Sequence, residues 1–246
     1  MSHTRLRTRF LGVAACGLLA AGLSACESDN VAKNADLIAG KKAFAQKCSS
    51  CHVLGRADAK GTTGPNLDES FRQALSEGFG RDTIHGIVLS QIKHPANVPQ
   101  DSPAYMPAEL VTGKAADDVA SYVAAVAARP GKDTGKLATA VPAAGAGKPI
   151  AAKNGKLEIP ADPNGQLAYV TKEATAPAGS LEISSKNDAS IPHDIAIEGG
   201  VTGKGETVQD GGVSKFTVTV KAGEYQYYCT VAGHREGGME GKLTVK

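Results

Sequence analysis

Tyr227-Tyr228-Cys229-Thr230-Val231-Ala232-Gly233-His234-Arg235-Glu236-Gly237-Gly238-Met239-Glu240-Gly241 is the stretch that decides how the second half of this chain folds. Tyr225 to Tyr228 reads as a strand that delivers Cys229 at its end. Gly233, Gly237 and Gly238 let the chain turn back, so that His234 and Met239 can meet Cys229. Gly241 to Val245 then departs as a last strand. A further histidine, His193, stands upstream after Ile191-Pro192. Two imidazoles, a thiolate and a thioether are the donors of a blue-type copper centre. Soft sulfur suits Cu(I), and imidazole suits both oxidation states. Taken alone, Cys229 would read as a buried free thiol. Four donor types in this order, on a strand-rich segment, favour copper. Zinc could fill the same donors when copper is scarce.

Outward from this loop the periodicity stays that of strands. Leu181-Glu182-Ile183-Ser184, Ile195-Ala196-Ile197, Phe216 to Val220 and Leu243-Thr244-Val245 alternate, and glycine-rich turns separate them. Short alternating strands between regular turns indicate a β-sandwich. Residues 154–246 resemble the cupredoxin family, through Tyr227-Tyr228-Cys229, Gly233-His234 and Gly238-Met239-Glu240-Gly241. The resemblance implies a Greek-key sandwich with His193, Cys229, His234 and Met239 as copper ligands. It also exposes one departure. Asparagine often follows the first histidine in that family, and this chain has Asp194 there, which leaves the hydrogen bonding around the thiolate open.

Residues 130–153 are rich in Gly, Ala, Pro, Lys and Thr and read as a semi-flexible linker without core residues. Upstream of it, residues 35–129 read as helical and loop-rich. Asp36 to Lys47 has apolar positions at helical spacing. Ala115 to Ala128 forms a second helix, with Asp117 and Asp118 expected in its first turns, where acids favour the dipole.

This half contains Cys48-Ser49-Ser50-Cys51-His52, a c-type haem attachment signal. Two thiols at this spacing reach the two vinyl groups on one porphyrin edge, and the following histidine is held under the iron. A zinc site would need a second Cys pair. A redox dithiol would need a βαβ setting, and this stretch reads helical. The region resembles the class I monohaem cytochrome c family over residues 35–129. Phe44 and Tyr122 match the aromatics where its first and last helices cross. Gly64-Pro65-Asn66-Leu67 matches the loop that supports the axial histidine, and Tyr105-Met106-Pro107 matches its distal methionine segment. The resemblance implies one covalent haem on Cys48 and Cys51, with His52 and Met106 as axial ligands. The chain has three methionines, and Met106 is the only one in the helical half. A thioether ligand raises the potential and closes the iron to substrates. Met106 as core filler, or His85 or His94 as the sixth ligand, are the competing readings.

The N-terminus reads as an export signal. Arg5 to Arg9 precede an apolar run ending in Leu23-Ser24-Ala25-Cys26, which resembles a bacterial lipobox. The expected organisation is a signal over 1–25, lipid on Cys26, a tether over 26–34, a cytochrome c domain over 35–129, the linker, and the cupredoxin domain over 154–246. Ordinary cleavage after Ala25, or an uncleaved anchor, would also place the rest outside the cytoplasm. Of the five cysteines, none is left to pair once these roles are filled.

These readings give an expected function: a non-enzymatic electron carrier, lipid-anchored at the cell membrane, facing outside the cytoplasm, with respiratory redox partners. The formal net charge of +2 gives no electrostatic case for nucleic acid. A nitrite reductase or multicopper oxidase needs a further copper held by several histidines, and among six His only His85 and His94 are spare. A dihaem peroxidase needs a second attachment motif, and a binuclear copper centre needs a second cysteine in the β-half. A redox subunit of a larger complex shares the chemistry and differs in partner. A copper-trafficking protein would leave the haem motif without a use.

Overall fold

A computed structural model describes residues 34–102 and 104–246 of the chain. The expected signal segment, Cys26 and nearly all of the tether lie outside the described residues. Among the described residues no helix is long and apolar enough to cross a membrane.

The first half is helical, as its periodicity predicts. Helix α1 spans Leu37–Lys47 and is capped by Asp36, whose carboxylate accepts hydrogen bonds from the backbone N–H groups of Ile38 and Ala39. A two-stranded ribbon follows, β1 (Val53–Leu54) with β2 (Ala59–Lys60). Helices α2 (Leu67–Ser76), α3 (Arg81–Lys93) and α4 (Gly113–Val126) complete the domain. Helix α1 crosses α4 at Gly40, where an added Cβ would stand 2.1 Å from the Asp118 carbonyl oxygen. Only glycine lets the two backbones approach this closely. One turn along, Phe44 and Tyr122 meet as a tilted pair with centroids 6.2 Å apart, both fully buried.

The two acids of α4 do not serve the helix dipole. The helix starts two residues earlier than expected, so its first turn holds no acid. Asp118 is instead buried in the crossing, where it accepts from Lys114 at 2.6 Å and from the Asp36 backbone N–H at 2.8 Å. Asp117 pairs with His85 at 3.0 Å. The Asp36 and His85 contacts tie α1 and α3 to α4, while the Lys114 pair lies within α4.

The second half is a sandwich of two sheets. Its strands are β3 (Ile150–Ala151), β4 (Lys156–Glu158), β5 (Glu173–Ala176), β6 (Gly179–Asn187), β7 (Ala196–Glu198), β8 (Gly203–Lys204), β9 (Gly212–Val220), β10 (Gly223–Tyr228) and β11 (Glu240–Val245). One sheet has the order β3-β5-β11-β10-β7-β8, and the other has β4-β6-β9. The sheets enclose one core that includes Leu157, Ile183, Ile195, Ile197, Tyr227 and Leu243. Strand β6 shows why: Leu181 and Ile183 point inward, and Glu182 and Ser184 alternate with them.

The stretch read as a flexible linker is packed at both ends. A short helix, α5 (Gly135–Ala138), occupies its first part. Asp133 is buried against Lys41 at 3.0 Å, Arg56 at 3.4 Å and the Tyr122 hydroxyl at 2.9 Å. Val141 is buried as well, and β3 joins the larger sheet. Asp133 with its three partners, buried Val141 and the pairing of β3 together order a segment whose composition carries no periodic signal.

Candidate metal and haem centres

Hairpin β10–β11 builds most of the copper site. Its register ends on the pair Tyr228↔Glu240, which places Cys229 and Met239 opposite each other at the mouth. The backbone N–H of Cys229 donates to the Met239 carbonyl at 3.0 Å, and that of Met239 donates to the His234 carbonyl at 2.9 Å. Gly233 and Gly238 take left-handed conformations, with φ of 79° and 109°, and turn the loop back on itself. His193 lies just before β7 and outside any strand. Two backbone hydrogen bonds with Val208, of 2.9 and 2.8 Å, hold it there.

The three nitrogen and sulfur donors converge. The Nδ1 atoms of His193 and His234 approach to 3.1 Å, and Cys229 Sγ lies 3.6 Å from His234 Nδ1. All three side chains are buried, and Met239, also fully buried, belongs to the sandwich core. The other ring nitrogen of His193 is buried with no hydrogen-bond partner, so this imidazole's polar contact is the cluster itself. Burial, reinforced by the neighbouring His234, holds His193 down to about 4, and burial also lowers His234. Both rings are therefore neutral, ready to bind a cation. Burial pushes the Cys229 thiol up to about 11, so a bound metal is what would draw its proton off. Two neutral imidazoles and a thiol in a dry pocket fit copper.

Asp194 binds the two ligand segments together. Its carboxylate is fully buried and accepts from the Thr230 N–H at 2.7 Å, the Thr230 hydroxyl at 2.6 Å and the Thr207 hydroxyl at 3.1 Å. Lys204 lies 3.3 Å away. Burial opposes the charge, but these hydrogen bonds outweigh it and hold the carboxyl below its ordinary range. Below, the Tyr169 hydroxyl donates to the Asp194 carbonyl at 2.7 Å, and its ring packs edge-on against Tyr227 at 5.4 Å. This role of Asp194 was open in the sequence, where only the unusual residue type marked it.

The haem motif sits on the turn that ends α1. The N–H groups of Cys51 and His52 both donate to the Cys48 carbonyl, at 3.2 and 3.0 Å. Cys48 is buried and Cys51 is exposed. Burial, then the neighbouring Cys51, pushes the Cys48 thiol up to about 12. His52 Nδ1 lies 2.9 Å from the Pro65 carbonyl oxygen, which fixes the ring and leaves Nε2 available. An added Cβ at Gly64 would stand 2.6 Å from the same ring, so glycine is required where the loop passes it. The donor set and this cradle fit a covalent haem. Met106 is half-buried against the helical core. His85 is engaged by Asp117, and His94 is the exposed C-cap of α3.

Sequence reasoning named α1 and α4 but not α2 or α3. Asn66 was the available signal for α2: its side chain accepts from the N–H groups of Asp68 and Glu69, a cap with acids in the first turn. Helix α3 carries β-branched residues and Gly86, and packing against α4 overrides that weak propensity.

Two family models match the chain. Residues 37–127 match cytochrome c, and residues 156–246 match copper binding proteins of the plastocyanin/azurin family. Among solved structures, the chain is similar to a dithionite-reduced auracyanin from the photosynthetic bacterium Roseiflexus castenholzii, at 25% identity. That match covers 39% of this chain and 99% of that one, with a TM-score of 0.35. It is also similar to auracyanin A, a "blue" copper protein from Chloroflexus aurantiacus, at 25% identity over 40% of this chain and 100% of that one, with a TM-score of 0.34. The chain thus joins a cytochrome c domain, which implies covalent haem c, to a plastocyanin/azurin-type cupredoxin domain, which implies type 1 copper, and it is an electron-transfer protein.

Proposed function

We propose that this chain is a lipid-anchored carrier on the outer side of a cell membrane, passing electrons between its two centres and respiratory partners. In this reading Cys48 and Cys51 hold the haem, His52 and Met106 bind its iron, and His193, Cys229, His234 and Met239 bind copper. Cys26 carries the lipid. When bound, iron and copper each supply a one-electron couple.

The supporting observation is the closure of the copper pocket. His193, Cys229, His234 and Met239 are 1%, 1%, 8% and 0% exposed, so protein encloses the four donors. Catalysis at a metal needs an open position, whereas electrons need only close approach. The residues around the site also favour transfer. Asp194 and the Pro65 carbonyl each hold a ligand-bearing segment in place, so little rearrangement accompanies a change of charge. Phe79 and Ile87 lie about half exposed on the haem domain, at 51% and 49%, and offer apolar surface for a partner.

A visible spectrum recorded during redox titration tests the reading. Haem bands should sharpen on reduction, and a thiolate-to-copper band should appear on oxidation. Azide or cyanide binding at either metal of the unmodified protein would point to catalysis instead. Labelling with a fatty acid, lost in Cys26→Ala, tests the anchor; an unchanged label in that variant removes it. Copurification with membrane subunits would assign the same chemistry to a larger complex.

A further inference from the structure

The two ligand-bearing loops of this chain lie against each other. Gly165 closes a turn in the copper domain, with φ of 73°, and its N–H donates to the Asp162 carbonyl at 3.0 Å. An added Cβ there would stand 2.7 Å from the carbonyl oxygen of Gln46, two residues before Cys48. Gly233, the neighbour of His234, faces Thr62 of the haem-attachment loop, where an added Cβ would lie 3.1 Å from Oγ1. Lys47 Nζ donates to the Ser190 hydroxyl at 3.1 Å, three residues from His193. A cleft between the domains is lined by Ser49 and Lys60 from one side and by Lys172, Gly237 and Gly238 from the other.

The connecting strap holds them there. On the haem side Asp133 is locked by Lys41, Arg56 and Tyr122, while Lys41 also donates to the Leu137 carbonyl at 2.8 Å. On the copper side Gln166 donates to the Pro142 carbonyl at 3.0 Å, and the Gly147 N–H donates to the Val170 carbonyl at 2.8 Å. Between Leu137 and Pro142 the strap can extend to no more than roughly 18 Å. A link this short keeps the effective concentration of one domain at the other very high.

We propose that the haem-attachment face is the resident docking partner of the copper-ligand loop, and that Asp133 is the latch that keeps the strap short enough to hold them closed. The interface is a property of the polypeptide. Its use in transfer rests on the carrier reading above. A side chain at 165 would also press on the Gln46 backbone across this interface.

Cross-linking of the holoprotein with a short amine-reactive reagent tests this. Lys60 and Lys172 should join within one chain, and amide exchange over Gln46 to Cys48 should be slow. Gly165→Asn tolerates the left-handed backbone but adds a Cβ against Gln46. It should lower the cross-link yield several-fold and speed that exchange, with both cofactor spectra unchanged. Asp133→Ala should act in the same direction. If the wild type gives no such cross-link, or if the wild type and Gly165→Asn cross-link and exchange alike, the interface does not exist. The spectra of the same samples report separately on the carrier reading, so the two can fail independently.

Discussion

The residues proposed to hold copper and haem lie at different depths. Cys229 and Met239 are members of the sandwich core, and His193 and His234 are buried beside them. In the haem domain Cys48 is buried, but Cys51 is exposed and His52 and Met106 are only half-buried. The first site is set by strand register, because β10 and β11 fix its loop at both ends. The second hangs on turns, and one carbonyl, that of Pro65, and one glycine, Gly64, orient its histidine. Loss of a donor should therefore damage the fold at copper and mainly retune the chemistry at haem.

The sharpest way to break this contrast is Cys229→Ser. The thiolate-to-copper band should vanish altogether, with the haem spectrum untouched; a surviving blue band would remove Cys229 from the ligand set. Next come the methionines. Met239→Ala opens a cavity in a fully buried position and should cost about 2–5 kcal/mol in denaturant unfolding of the copper domain. Met106→Ala should cost about 1 kcal/mol, yet it should lower the haem potential and admit added imidazole. Equal stability losses in the two variants would erase the distinction. Gly64→Ala drives a methyl into the His52 ring and should cost about 1–3 kcal/mol, with a shifted haem spectrum. An unshifted spectrum would mean that the loop yields freely.

The last effect is graded with pH and concerns the copper domain without metal. His193 and His234 titrate lower in the fold than the ordinary 6.5, because burial disfavours their charged forms. The unfolded chain thus binds protons that the folded one refuses. Stability should be complete above about pH 6.5 and decline as the pH falls toward about 4. Urea midpoints of the metal-free protein measured across that window check the sign, and a flat profile would contradict it.

The clusters Cys48-x2-Cys51-His52 and Cys229-x4-His234-x4-Met239 were readable because their members sit close in sequence. Short spacings report directly on loops. His193 was read from its place ahead of the Cys-x4-His-x4-Met run and expected on a neighbouring strand, whereas it stands just before β7. The Asp133 latch was not, since a lone aspartate among Gly, Lys and Thr looks solvated, and its three partners lie 11 to 92 residues away in the chain. Asp118 misled for the same reason: a local rule placed it at a helix end, and a contact with Asp36 across the fold decided its role. Composition and periodicity describe neighbours along the chain, and both of these groups act through neighbours in space.

Hairpin β10–β11 has one more consequence. Its strands are paired without interruption from Gly223↔Val245 to Tyr228↔Glu240, and three of the four residues proposed as copper donors are carried past the last pair. The nine residues between Cys229 and Met239 thus behave as an interchangeable insert on a fixed frame. Lengthening or shortening that insert would change the colour and the potential of the centre and leave the sheet beneath it as it is.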